Sequence, residues 1–285
     1  MSVNSIGVIG AGVMGSGIAQ VAATNGISVL LVDVNERAVK KGIEAVESRL
    51  NRVVTKGKMT AAEKDAAVRR ITGTTAYDAL KPADVIIEAA TEDYDLKTRI
   101  FKQLDALVSA ESVVASNTSS VSITKLASTM SRPERFVGIH FFNPVPVMSL
   151  VEIVRGLETS DATHDAAAGL AVQLGKSPTT VKSAPGFVVN RILLPMINEA
   201  FFVLAEGYAS AEDIDKGMKL GCNHPIGPLA LADLIGLDVL LSVMQILHDE
   251  FGDSKYRPCP LLRELVSAGH LGRKSGRGVF SYQKN

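Results

Sequence analysis

Ile6-Gly-Val-Ile-Gly10-Ala-Gly12-Val13-Met14-Gly15 is the stretch that decides the fold. A short apolar run, Ser5–Ile9, breaks into G-x-G-x-x-G, and a helical pattern follows from about Val13 to Asn25. That order reads as strand, tight turn and helix, the opening of a dinucleotide-binding unit. Gly10 permits the turn, Gly12 lets backbone approach a pyrophosphate, and Gly15 allows close strand–helix packing. The helix start, Val13 and Met14 included, offers amides and a positive dipole end to phosphates. The second strand, Ile27–Asp33, ends in a carboxylate placed to bond the ribose hydroxyls of an adenosine. An acid there repels a 2′-phosphate, so NAD(H) is the expected cofactor and NADP(H) the less favoured one.

Working outward, helical patterns cover Glu36–Thr55 and the segment opened by the capping box Thr60-Ala-Ala-Glu63. Apolar runs at Asp84–Ala90, Val113–Asn117, Phe136–Phe142, Leu150–Arg155 and Thr179–Lys182 read as further strands. The alternation implies a parallel sheet covered by helices. After Pro185-Gly186 the pattern turns helical throughout, from Phe187 to Val266. The expected fold is an α/β Rossmann-type dinucleotide-binding domain over 1–185, then an all-α C-terminal domain over 186–285.

The 285 residues carry 30 Lys plus Arg against 30 Asp plus Glu, which argues against a globally basic nucleic-acid binder. With 46% hydrophobic and 21% charged residues the chain reads as globular. Cys222 and Cys259 show no metal-ligand spacing and read as free thiols, and no metal site is expected. The most apolar long stretch, Leu229 to Leu247, carries Asp233 and Asp238, each costly in hydrocarbon. No membrane partner is expected. The glycine-rich first run lacks the basic region of a targeting peptide, so the expected location is the cytoplasm.

His140 ends an apolar strand in Val-Gly-Ile-His140-Phe-Phe-Asn143-Pro. By itself it reads more readily as a satisfied core histidine than as a catalyst. In Leu150-Val-Glu152-Ile-Val154, alternation puts Glu152 on an apolar face, where a carboxylate is expensive unless paired. His140 on a neighbouring strand is a plausible partner, and such a pair suits a general base. Asn117-Thr-Ser119-Ser120 follows a strand at the edge where open sheets bind ligands, though helix capping explains it too. Arg49, Arg52 and Lys56 share one helix face, either a solvated stripe or an anion site. Ser119, His140 and Glu152 as a hydrolase triad is set aside, because G-x-S-x-G is missing around Ser119.

Together the glycine turn ending in Asp33, the run His140-Phe-Phe-Asn143-Pro-Val-Pro-Val-Met, Glu152, Pro185-Gly-Phe-Val-Val-Asn190-Arg191 and Gly272-Arg-Lys274-Ser-Gly276-Arg-Gly278-Val-Phe resemble the 3-hydroxyacyl-CoA dehydrogenase family. The likeness runs over essentially the whole chain, and within the family it is nearest to members acting on four-carbon esters. The resemblance implies His140 as catalytic base and Glu152 as its orienting partner. It implies that Ser119 and Asn190 bond the substrate's 3-oxygen or position the reacting carbons. Glu92, Lys97, Asn117, Asn143 and Lys274 match positions lining the NAD site beside Gly10, Gly12, Val13, Met14, Gly15 and Asp33. Lys56, with Arg49 and Arg52, matches the helical arm, about residues 36–70, that holds a CoA ester. A homodimer through the C-terminal domain is also implied. One departure is visible: Val279-Phe280 stands where many members have Phe-Tyr. A dehydrogenase of free hydroxy acids, without use for the basic stripe, and an NAD-binding protein without turnover are the rival readings.

Overall fold

β1 (Ser5–Ile9) ends at Gly10, whose φ of +101° suits glycine, and α1 (Val13–Thr24) begins directly after Gly12. β2 (Ser28–Val32), the long arm helix α2 (Glu36–Thr55) and α3 (Ala61–Arg69) follow. Thr60 and Glu63 form the expected capping box at the head of α3. Then come β3 (Ile71–Thr74), β4 (Val85–Glu88), α4 (Tyr94–Asp105), β5 (Val113–Ser116), α5 (Ile123–Ala127), β6 (Phe136–Phe141), β7 (Leu150–Arg155), α6 (Asp161–Gln173) and β8 (Ser177–Lys182). The structure, a computed structural model, describes residues 3–282, and the chain divides into two units after Ala184.

Among the described residues, eight strands join one sheet in the order β3-β2-β1-β4-β5-β6-β7-β8. Pairing is parallel from β3 to β6 and between β7 and β8, but β7 runs antiparallel to β6. The sequence implied a parallel sheet. The reversal has a simple cause: the link 142–149 is shorter than the dozen or so residues a parallel crossover needs. β3 is a strand that the sequence pattern does not reveal. It lies at the sheet edge with Thr72 and Gly73 exposed, so its only buried side chain is Ile71. β4 and β5, inside the sheet, are buried along their whole length, which is why they read as unbroken apolar runs. The strand order reverses between β1 and β4, and ligands bind such sheets at that crevice, beyond the carboxyl ends.

The second unit holds α7 (Val189–Ala205), α8 (Ala211–Gly221), α9 (Pro228–Ile235), α10 (Leu237–Phe251) and α11 (Pro260–Ser267). Leu194, Ile197, Phe201, Leu229, Leu240, Met244 and Leu247 form its core. Gly236, at φ +105°, bends the chain by 98° between α9 and α10. The apolar stretch Leu229–Leu247 is thus two packed helices, and among the described residues no single helix is long and apolar enough to cross a membrane. Two buried acids brace this unit. Asp215 accepts from the amides of Leu229 (2.8 Å) and Ala230 (2.9 Å) at the start of α9. Asp233 accepts from the amides of Val279 and Phe280, both at 2.9 Å, and from the Tyr282 hydroxyl at 3.0 Å. Cys222 is exposed and Cys259 buried, both as free thiols.

Candidate active site

The glycine turn is tight on one side and open on the other. A Cβ at Gly10 would stand 2.6 Å from the Ala89 carbonyl oxygen, and one at Gly15 would run into the Gly10 carbonyl. A Cβ at Gly12 would meet nothing within 4 Å, so backbone there is open to a ligand. No side chain caps α1 and no acid stands in its first turn, which leaves its positive end to an anion. Asp33 follows β2 directly, and its carboxylate accepts from the Ala11 amide (2.6 Å) and the Val34 amide (2.7 Å). These residues fit the phosphates and adenosine ribose of NAD(H). Tyr77, absent from the sequence argument, stands near: burial pushes its phenol up, and the charges of Asp33 and Glu88 add to this.

A polar chain runs under the same edge, through β4, the loop after it and the start of α4. Glu88 is wholly buried, and its carboxylate accepts from the Ala90 amide (2.7 Å), Lys97 Nζ (2.7 Å) and Ser116 Oγ (2.6 Å). Lys97 is equally buried, and Nζ also lies 3.3 Å from Glu92 Oε2. The other oxygen of Glu92 gathers Thr118 Oγ1 (2.5 Å), the amides of Ser119 (2.8 Å) and Ser120 (3.0 Å), and Ser120 Oγ (2.9 Å). Burial alone would raise the Glu92 carboxyl. The Lys97 charge and the donors from Thr118, Ser120 and Ser119 outweigh it and hold the group below the ordinary carboxylate range. Ser119 and Ser120 therefore do not cap the next helix. Ser122 does, accepting from the Lys125 amide.

His140 and Glu152 face each other across the antiparallel β6–β7 pair, with Nδ1 2.8 Å from Oε2. Both are buried, His140 at 5% and Glu152 at 1% exposure. An ionised carboxylate only accepts, so Nδ1 carries its hydrogen and the other ring nitrogen, Nε2, is the one suited to proton exchange. Asn117 ties β5 to this corner, its Oδ1 accepting from the Phe141 amide at 2.9 Å. Asn143 is exposed in the loop after β6. Lys176 pins that loop by donating to the carbonyls of Val145 (2.6 Å) and Met148 (2.8 Å).

The basic stripe on α2 is not uniform. Arg52 and Lys56 are exposed, whereas Arg49 is half-buried and donates to Gln20 Oε1 (2.6 Å) and Ser16 Oγ (3.1 Å) on α1. In the second unit, Asn190 is the second residue of α7, and Lys274 Nζ pairs with Asp238 at 2.6 Å. Among the described residues, no group of His, Cys, Asp and Glu could hold a metal ion. Glu88 was not singled out from the sequence, yet Val85-Ile-Ile-Glu88 carries a signal akin to that of Glu152: a carboxylate within an apolar strand.

This edge suits a dehydrogenase, since it offers a seat for a dinucleotide and, on the same sheet, a group able to exchange a proton. The family model of the 3-hydroxyacyl-CoA dehydrogenase NAD binding domain matches residues 5–184, and that of the C-terminal domain of the same family matches 186–282. The chain belongs to the 3-hydroxyacyl-CoA dehydrogenase family, as an NAD-dependent oxidoreductase. It is 51% identical to a probable 3-hydroxybutyryl-CoA dehydrogenase of Bacillus subtilis, over 100% of this chain and 99% of that one. It is 49% identical to a 3-hydroxybutyryl-CoA dehydrogenase of Clostridioides difficile, over 98% and 99%. The crystal structure of an (S)-3-hydroxybutyryl-CoA dehydrogenase from Ralstonia eutropha is similar with a TM-score of 0.97 and 61% identity, covering 99% of this chain and 100% of that one.

Proposed function

We propose that the chain interconverts (S)-3-hydroxybutyryl-CoA and acetoacetyl-CoA with NAD(H), His140 acting as general acid and base. The buried 2.8 Å contact between His140 Nδ1 and Glu152 Oε2 carries this reading. The names of the similar proteins from Bacillus subtilis and Ralstonia eutropha support the four-carbon ester. The nicotinamide, when bound, supplies the hydride acceptor or donor. In oxidation, His140 Nε2 takes the proton of the 3-hydroxyl, whose electron pair closes the carbonyl as hydride leaves C3. In reduction the imidazolium returns that proton to the 3-oxygen. Glu152 fixes the ring and stabilises its charged form. Ser119 and Asn190 are assigned, on the family resemblance, to bond the 3-oxygen or position the reacting carbons.

Gly10, Gly12, Val13, Met14, Gly15 and Asp33 hold the cofactor's phosphates and adenosine. Glu92, Lys97, Asn117, Asn143 and Lys274 complete its site. Arg52 and Lys56 hold the CoA phosphates, with Arg49 securing the arm to α1. The protein works in the cytoplasm as a homodimer joined through its helical unit. Exposed Ile192, Leu220 and Leu234 supply apolar surface for that contact. A monomer by light scattering at micromolar concentration would overturn the dimer. The test of the chemistry is His140→Gln, which should fold and bind NADH yet lose about 10³-fold in turnover of acetoacetyl-CoA. Near-parental turnover in that variant would refute the role of His140.

A further inference from the structure

We propose that Glu88 is a positioning residue: through Lys97 it holds the Glu92 carboxylate against the loop 118–120, and so sets the place of Ser119. This rests on the proposed role of Ser119 at the substrate. The relay is continuous. Glu88 Oε1 lies 2.7 Å from Lys97 Nζ, Nζ lies 3.3 Å from Glu92 Oε2, and Glu92 Oε1 accepts the Ser119 amide at 2.8 Å. Stability alone does not account for placing an ion pair here, because a well-packed apolar pair of similar size is often as stable as a buried ion pair. What an apolar pair would lack is the cation that draws Glu92 inward. Without it the Glu92 carboxylate, at the loop's rim and 36% exposed, loses the charge that fixes its Oε2 and keeps only the loop's own donors to Oε1.

Charge gives the relay its direction. Two carboxylates share one ammonium, and Glu88 is the nearer and more deeply buried of the two, 2.7 Å from Nζ and wholly buried against 3.3 Å and 36% exposure for Glu92. Glu88 thus fixes Lys97 in place, and Lys97 in turn anchors the more exposed Glu92. The Ser116 hydroxyl adds a second route, since it also accepts from the Thr118 amide at 3.2 Å and couples Glu88 to the foot of the same loop.

The experiment is Glu88→Gln, which keeps the shape and removes the charge, read by amide hydrogen exchange and by kinetics. The relay predicts that the Ser119 and Ser120 amides exchange at least tenfold faster while those of Ile86 and Val114 in β4 and β5 keep their rates. It also predicts kcat with acetoacetyl-CoA down at least tenfold and KM for the ester within threefold. Equal acceleration of the strand amides would make Glu88 a merely structural residue and overturn the proposal. Unchanged loop amides, or faster loop exchange with parental kcat, would overturn it as well. Should the single variant fail to fold, Glu88→Gln/Lys97→Met leaves no unpaired charge on this pair and is read by the same criteria. Failure of the proposed reaction is distinguishable, because the parent would then lack ester turnover whatever the loop amides of the variant do.

Discussion

Glu152 in the first unit and Asp233 in the second are both carboxylates buried to 1% exposure, and they do opposite work. Glu152 meets an imidazole, a ring whose second nitrogen is left to exchange a proton. Asp233 meets two backbone amides and a phenol, which keep their hydrogens. On the proposed function the first carboxylate tunes a reaction, while the second fastens the C-terminal segment to α9. Burial cost is similar for the two, so the partner, not the burial, decides whether such an acid is chemical or structural.

Breaking the two carboxylates separates these roles. Glu152→Gln should lower kcat for acetoacetyl-CoA about 10²-fold, with a melting temperature that falls little, because a neutral hydrogen bond to His140 survives. Asp233→Asn should do the reverse, destabilising the second unit by about 3 kcal/mol in denaturant unfolding. A loss of turnover without loss of stability in the Asp233 variant would erase the contrast. Lys56→Ala is smaller: KM for the CoA ester should rise about tenfold and the NADH dissociation constant stay put, whereas an unchanged ester KM would remove the arm from the site.

The mildest effect is on pH. The Glu92 carboxyl is held low against its burial, by Lys97 and the Thr118, Ser120 and Ser119 donors, so the charged form is favoured in the folded protein. Its contribution is complete above the ordinary glutamate value of about 4.3 and fades only as pH falls through the lower folded value. NADH binding, followed by fluorescence, should thus stay flat from neutral pH to about 5 as far as Glu92 is concerned. A Glu92-dependent decline already at pH 6, absent in Glu92→Gln, would contradict this.

The sequence was most readable where one residue had one physical reason. Gly10 at positive φ, the capping box of Thr60 and Glu63, and a carboxylate on the apolar face of β7 all announce themselves locally. Legibility failed where the reason lay across the fold. Ile71-Thr-Gly-Thr74 shows one buried apolar side chain and no alternation, because an edge strand needs little more. Lys97 looks like an ordinary helix-surface lysine until β4 brings Glu88 beneath it. Arg49 belongs by spacing to an exposed stripe, but Gln20 and Ser16 on α1 draw it inward. Ser119 and Ser120 have the look of helix caps, and the side chain that claims them, Glu92, is supplied by another loop.

The most direct test of the account is NADH oxidation at about 340 nm with acetoacetyl-CoA, beside free acetoacetate and a longer 3-ketoacyl-CoA. The expected result is rapid turnover of the four-carbon ester, slower turnover of the longer one and none of the free acid. Turnover of free acetoacetate with none of either ester would contradict it, leaving the His140–Glu152 chemistry but removing Arg52 and Lys56 from the substrate site.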